Sequence, residues 1–254
     1  MPSIRSSTPR TSWRRSTPTS RPRRPSGSWP LIVGGADGCR TGWVVCRRDT
    51  DGTLDARVVK TLAEACEGLS ILAVDMPIGF VAVPRPARIC EVEARKLMPG
   101  KASSVFPTPC RPALACTTHA EANALSRKLG VGINRQTFHL FPKMREVDDL
   151  LRSRPRLKRI VYEAHPELAF SRMNGGKPVL SKKRQPDGYA ERCRLLARHG
   201  FACPVDGLPG AARDDILDAI AVCRTALLIT QDKATRLGPA KVRDSRGLPM
   251  NIWF

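Results

Sequence analysis

No stretch of this 254-residue chain approaches the roughly 20 consecutive apolar residues that a membrane-spanning helix needs, and no membrane partner is expected. Aromatic residues make up only 5% of it, too few to build the stacking platforms on which single-stranded nucleic acids lie. No Walker phosphate loop occurs, and Gly34-Gly35-Ala36-Asp37-Gly38 is too short a signal for a dinucleotide fingerprint. The nine cysteines form no Cys-x-x-Cys pair and are odd in number, which argues against a disulfide framework. Most lie in apolar sequence, as reduced cysteines of a cytoplasmic protein do. Acidic residues are scarce as well. There are 23 Asp+Glu against 43 Lys+Arg, a formal net charge of +20, and the sequence pI is near 10.4. An anionic partner is expected, and nucleic acid, DNA or RNA, is the commonest of these.

The basic charge is unevenly spread. Residues 1–30 hold seven Arg and no acidic residue in a Ser/Thr/Pro-rich context, so +13 remains for residues 31–254. Such a segment lacks the aliphatic surface that offsets ordering entropy and reads as a disordered arm. Order is expected from residue 31. Leu31–Ala36 reads as a strand ending at Asp37, Trp43–Cys46 as a second and Leu54–Val59 as a third, joined as a meander. A short helix over Leu62–Leu69 leads to Ile71–Val74, an unbroken apolar run suited to a central strand buried on both faces. It ends at Asp75, before Pro77. The proline-rich residues 80–155 read as a helical insertion, with helices near Arg88–Leu97, His119–Leu129 and Lys143–Leu151. Arg159–Glu163 returns to strand, and helices follow over Asp187–His199 and Arg213–Ile229. The order implies an α/β protein, a mixed five-stranded sheet with flanking helices.

The few acids in this basic chain then carry the most information. A carboxylate within apolar sequence is costly unless it is paired or holds a cation. Asp37 and Asp75 end strands that would lie side by side, and Asp215 and Asp218 sit three residues apart on an apolar helix, facing the same way. Hard oxygen donors without Cys or His suit Mg²⁺ or Mn²⁺. Glu163 closes its strand as Asp75 does and competes with Asp215 for the fourth ligand position. Asp214 reads as a helix cap. Bland alternatives exist for single residues: Asp37 before Gly38 also suits a turn.

Several phrases together resemble the domain of unknown function 429. They are Gly35-Ala36-Asp37-Gly38-Cys39-Arg40-Thr41-Gly42-Trp43, Ala73-Val74-Asp75-Met76-Pro77-Ile78-Gly79, the helix Arg88 to Arg95, Ser103 to Pro109, Glu163-Ala164-His165-Pro166-Glu167, Ser181-Lys182-Lys183, and Asp214-Asp215-Ile216-Leu217-Asp218-Ala219. The resemblance implies an RNase H-like fold and a predicted nuclease. More distantly, Asp37, Asp75 and Asp215-Ile216-Leu217-Asp218-Ala219 resemble the acidic pattern of RuvC-type resolvases. That group carries Glu where this chain has Asp75, one methylene shorter.

The expectation is thus a two-metal phosphodiesterase acting on nucleic acid, with Asp37, Asp75, Asp215, Asp218 and Glu163 as its catalytic acids. Arg88 and Arg95 are candidate phosphate clamps, Ser103 and Ser104 candidate hydroxyl donors, and Lys143, Lys182 and Lys183 candidate backbone contacts. His165 is a candidate proton shuttle. Two other classes remain open: a non-catalytic nucleic-acid-binding module, and a phosphoryl-transfer or hydrolytic enzyme acting on a small phosphorylated metabolite. Homodimerisation is open too.

Overall fold

The computed structural model describes residues 31–203 and 207–254, so the arm expected over 1–30 lies outside the described residues. Strands β1 (Val33–Cys39), β2 (Gly42–Arg48) and β3 (Leu54–Val59) form the expected antiparallel meander. β1 does not stop at Asp37. The tight hairpin continues the ladder through Asp37↔Val44, Gly38↔Trp43 and Cys39↔Gly42, so Asp37 sits within a paired strand rather than in a turn.

The one-turn helix α1 (Leu62–Ala65) leads to β4 (Ile71–Val74), which pairs parallel with β1. The expected longer helix over 62–69 is cut short, the chain turning at Gly68 with φ +70°. The insertion holds α2 (Ile89–Lys96), α3 (Arg111–Leu114), α4 (His119–Lys128), α5 (Arg135–His139) and α6 (Phe141–Ser153), then returns through β5 (Val161–Glu163), parallel to β4. Next come α7 (Pro166–Met173), α8 (Pro186–Arg198), α9 (Arg213–Thr230) and a small hairpin of β6 (Arg236–Leu237) and β7 (Ile252–Trp253).

The main sheet has the order β3-β2-β1-β4-β5, which is the mixed RNase H-like arrangement expected. Helix α7 was not foreseen in the sequence; Pro166 occupies its first turn, where its missing N–H costs nothing.

Two apolar layers cover the sheet. Val33, Val44, Cys46, Ile71 and Ala73 face α7, α8 and α9. The alternate residues Ala36, Trp43, Val45, Leu72 and Val74 face α1, α6 and the insertion. All nine cysteines are free thiols. Among the described residues no helix is long and apolar enough to cross a membrane.

The closest approach of a helix to the sheet at a glycine lies between β1 and α9. A Cβ at Gly35 would stand 2.1 Å from the Ala219 carbonyl oxygen and 2.2 Å from the Cys223 nitrogen. Both obstacles are helix backbone, which cannot swing aside as a side chain does. Replacing Gly35 with Ala is therefore expected to destabilise the fold by about 3 kcal/mol, the upper part of the overpacking range. Urea unfolding of the variant against wild type measures this. A change below about 0.5 kcal/mol would mean the helix can retreat at little cost.

Candidate metal centre

Pleating decides which acids meet. Along β1 and β4 the residues alternate between the two faces, so Asp37 follows Val33 and Gly35 onto the α9 side. Asp75 follows Ile71 and Ala73 there. The parallel register places Ala36 opposite Val74, which brings Asp37 and Asp75 together at the carboxyl ends of adjacent strands. Asp218 comes down from α9, the helix that Gly35 admits so closely. One carboxylate oxygen from each of Asp37, Asp75 and Asp218 lies within 4.8 Å of the others. Asp37 and Asp218 are buried and Asp75 is half-buried.

The same alternation removes Glu163 from this group. It stands level with Val74 in the β4–β5 register and so shares Val74's face, away from α9. There Arg88 grips it: the second guanidinium nitrogen of Arg88 bonds Oε2, its other nitrogen donates to Oε1 at 3.0 Å, and the Ile78 N–H donates to Oε2 at 2.7 Å. Both oxygens are engaged, so the expected ligand or base role does not fit.

At the start of α9 the expected roles of two acids are exchanged. Ala212 is the N-cap, and the Asp215 carboxylate reaches back to accept from its N–H at 3.0 Å, the reciprocal bond of an N3 acid. Asp215 therefore lies outside the cluster it was expected to complete. Asp214, expected to be a cap, lies one turn before Asp218 on the same face. It accepts from Arg184 Nε at 3.0 Å and lies 3.6 Å from Lys183 Nζ. Lys183 also pairs directly with Asp218 Oδ2. It sits against the cluster itself rather than reaching for a distant backbone phosphate.

The electrostatics follow from this crowding. Burial pushes the Asp37 carboxyl well above the ordinary carboxylate range, and the charges of Asp75 and Asp218 push it further. Burial raises Asp75 and Asp218 to about 7, although Lys183 pulls both down. Burial alone would lower Lys183; Asp218 overcomes that and holds the ammonium above its usual range. Burial also raises Asp215. At Asp214 the upward push of burial is outweighed by Arg184 and Lys183, and the group stays below the ordinary range. One buried oxygen, Asp218 Oδ1, has no hydrogen-bond partner. A set of oxygen donors with an unsatisfied buried lone pair and raised pKa values fits a hard divalent cation such as Mg²⁺ or Mn²⁺.

The other expected contacts scatter. Arg88 is buried at 2% exposure between Glu163, Glu91 and Thr108, so it braces the insertion and meets no solvent. Arg95 donates to the Val105 carbonyl at 2.9 Å and pairs with Glu91 at 3.5 Å. Ser104 Oγ donates to the Lys101 carbonyl at 2.8 Å, and Ser103 is exposed. Lys143 lies over the Trp43 ring, 4.5 Å from its centroid, and 3.7 Å from Glu146. Lys182 is exposed.

A cavity of about 100 Å³ opens beside Asp37 and Asp75, walled by Met76, Val105, Phe106 and Leu140 and bordered by His165 and by the Arg88-bound Glu163 and Glu91. His165 Nε2 faces the Ser104 carbonyl at 3.2 Å and must be the protonated nitrogen, while its buried Nδ1 has no partner. Burial lowers the His165 pKa, so the ring is neutral near pH 7 and Nδ1 carries a lone pair. The apolar walls were not read from the sequence as a pocket, because Val105-Phe106 and Leu140 come from segments of the insertion that only the fold brings together.

The pKa shifts predict a pH signature. Asp75 titrates near 7 when folded and near 3.8 when unfolded. The folded state therefore binds more protons between those values, and this group's contribution to stability falls as pH rises through that window. Asp75→Asn should match wild type near pH 4. Without divalent cations it should become progressively more stable than wild type toward pH 7. Thermal unfolding of both proteins across that range tests the sign, and Mn²⁺ should reverse the order by stabilising only the wild type.

The family model described as "Protein of unknown function (DUF429)" matches residues 35–242, and the chain belongs to that family. No curated protein and no solved structure matches it.

Proposed function

We propose that this member of the DUF429 family is a metal-dependent nuclease that hydrolyses phosphodiester bonds of nucleic acid. The observation that carries the reading is the trio Asp37, Asp75 and Asp218, with oxygens within 4.8 Å and Asp218 Oδ1 buried without a partner. These three side chains would hold Mg²⁺ or Mn²⁺. A bound divalent ion polarises a phosphoryl oxygen and lowers the pKa of bound water. The chain's own groups supply the rest. His165 borders the adjoining cavity and has an unpartnered Nδ1, the group this reading assigns to take a proton from attacking water. Lys183, paired with Asp218 of the trio, and the exposed Arg184, paired with Asp214 one turn earlier, supply positive charge beside the site for a phosphodiester. The net charge of +20 favours a polyanion over a neutral substrate.

A second reading, hydrolysis of a small phosphate ester, is favoured by one observation. The cavity beside Asp37 and Asp75 is only about 100 Å³ and largely apolar-walled, which suits a small group better than a duplex.

Asp37→Asn with Asp75→Asn is expected to keep the fold and lose Mn²⁺-dependent cleavage by at least about 100-fold, the scale of losing a charged stabiliser of the transition state. The assay sets single- and double-stranded DNA and RNA beside bis(p-nitrophenyl) phosphate and p-nitrophenyl phosphate. Cleavage that survives in the double variant sinks the proposal. Turnover of the small esters alone selects the second reading. Tight, salt-sensitive nucleic-acid binding with no divalent dependence would make the protein a binding module.

A further inference from the structure

We propose that the centre takes a single divalent cation and that Lys183 supplies its second positive charge from within the protein, a proposal that rests on the metal-centre reading above. A two-metal site needs enough carboxylate oxygens for both ions, and here the two extra acids are spent elsewhere. Glu163 is held by Arg88 and the Ile78 N–H on the other face of the sheet. Asp215 caps α9. Three carboxylates remain, and Lys183 Nζ already engages one of them at Asp218 Oδ2 while lying 3.6 Å from Asp214 Oδ2. Asp218 Oδ1 is buried and unpartnered, which leaves a donor free for one ion shared with Asp37 and Asp75. Charge points the same way. One divalent ion and one ammonium neutralise three carboxylates, whereas a second divalent ion would leave two surplus positive charges among desolvated groups.

Lys183 is not a surface lysine that has wandered inward. Its loop, between α7 and α8, is fixed from below by Arg192, which is fully buried. Arg192 donates to both oxygens of Glu167 at 2.8 and 3.0 Å and to the Ser181 carbonyl at 3.0 Å. Ser181 Oγ is tied to Glu191 at 2.7 Å. The Lys182 carbonyl packs so closely on Gly188 that a Cβ there would stand 2.2 Å away. The ammonium is delivered by an anchored backbone, as a preorganised charge should be.

Metal stoichiometry tests this without depending on turnover. Mn²⁺ titration by calorimetry and electron paramagnetic resonance should give one ion per wild-type chain, with no Mn–Mn dipolar coupling. Lys183→Ala, which frees Asp218 Oδ2 and Asp214, should bind two ions and show the coupled signal. Lys183→Arg, which keeps the cation, should stay at one and serves as the control for folding and loop anchoring. Two coupled ions in the wild type would overturn the lysine proposal and leave the metal centre standing. One ion in a folded Lys183→Ala protein would likewise overturn it. If the wild type binds no Mn²⁺ at all, both this proposal and the metal-centre reading fall.

Discussion

Everything at the candidate centre depends on how closely α9 can lie on β1. Gly35 has no side chain, so the helix backbone at Ala219 and Cys223 occupies the space a Cβ would need. That proximity sets Asp218, one residue before Ala219, against Asp37, two residues beyond Gly35. A larger residue at position 35 would lift the helix and part the two carboxylates. Hydrophobic burial on both sides of the joint, from Ile216, Ile220 and Cys223 of α9 and Val33, Val44 and Ala73 of the sheet, holds these repelling groups together. The surrounding core thus provides the free energy that confines three carboxylates in a poorly solvated place.

The rest of the chain's buried charge is arranged to keep that place distinct. Arg88 neutralises Glu163 and Glu91, Arg111 neutralises Asp148 and Asp244, and Arg192 neutralises Glu167. Each of these sets joins segments distant in sequence and leaves its carboxylates fully engaged. Only in the trio does a buried carboxylate oxygen, Asp218 Oδ1, remain without a partner among the described residues. The contrast separates acids that brace the fold from the trio proposed above to hold a cation. Arg88 and Arg95, expected to clamp phosphate, are instead counter-ions of Glu163 and Glu91.

Much of this was legible in the residues. The apolar run Ile71–Val74, the meander before it and the long apolar helix from Arg213 gave the sheet and its main covering helix to within a few residues. Asp37, Asp75 and Asp218 stood out because each breaks an apolar context at a strand end or within a helix. Strand parity would have excluded Glu163 once its register with Val74 was known, but parity needs a register and register is tertiary. The exchange between Asp214 and Asp215 turned on a single residue of helix start. With Ala212 as the N-cap, Asp215 becomes the capping acid and Asp214 turns toward Lys183.

The sequence by itself determined the five main strands, the longer helices over 89–96, 119–128, 141–153, 186–198 and 213–230, and a short list of acids that includes the central three, because periodicity and the cost of burying charge are local properties of the chain. Tertiary structure alone decided which cation answers which acid. Lys183 is 35 residues from Asp218, Arg88 is 75 from Glu163, and Arg192 is 25 from Glu167. No local spacing encodes such partners, since they are fixed only when a loop, an insertion and a helix close over the carboxyl edge of one sheet.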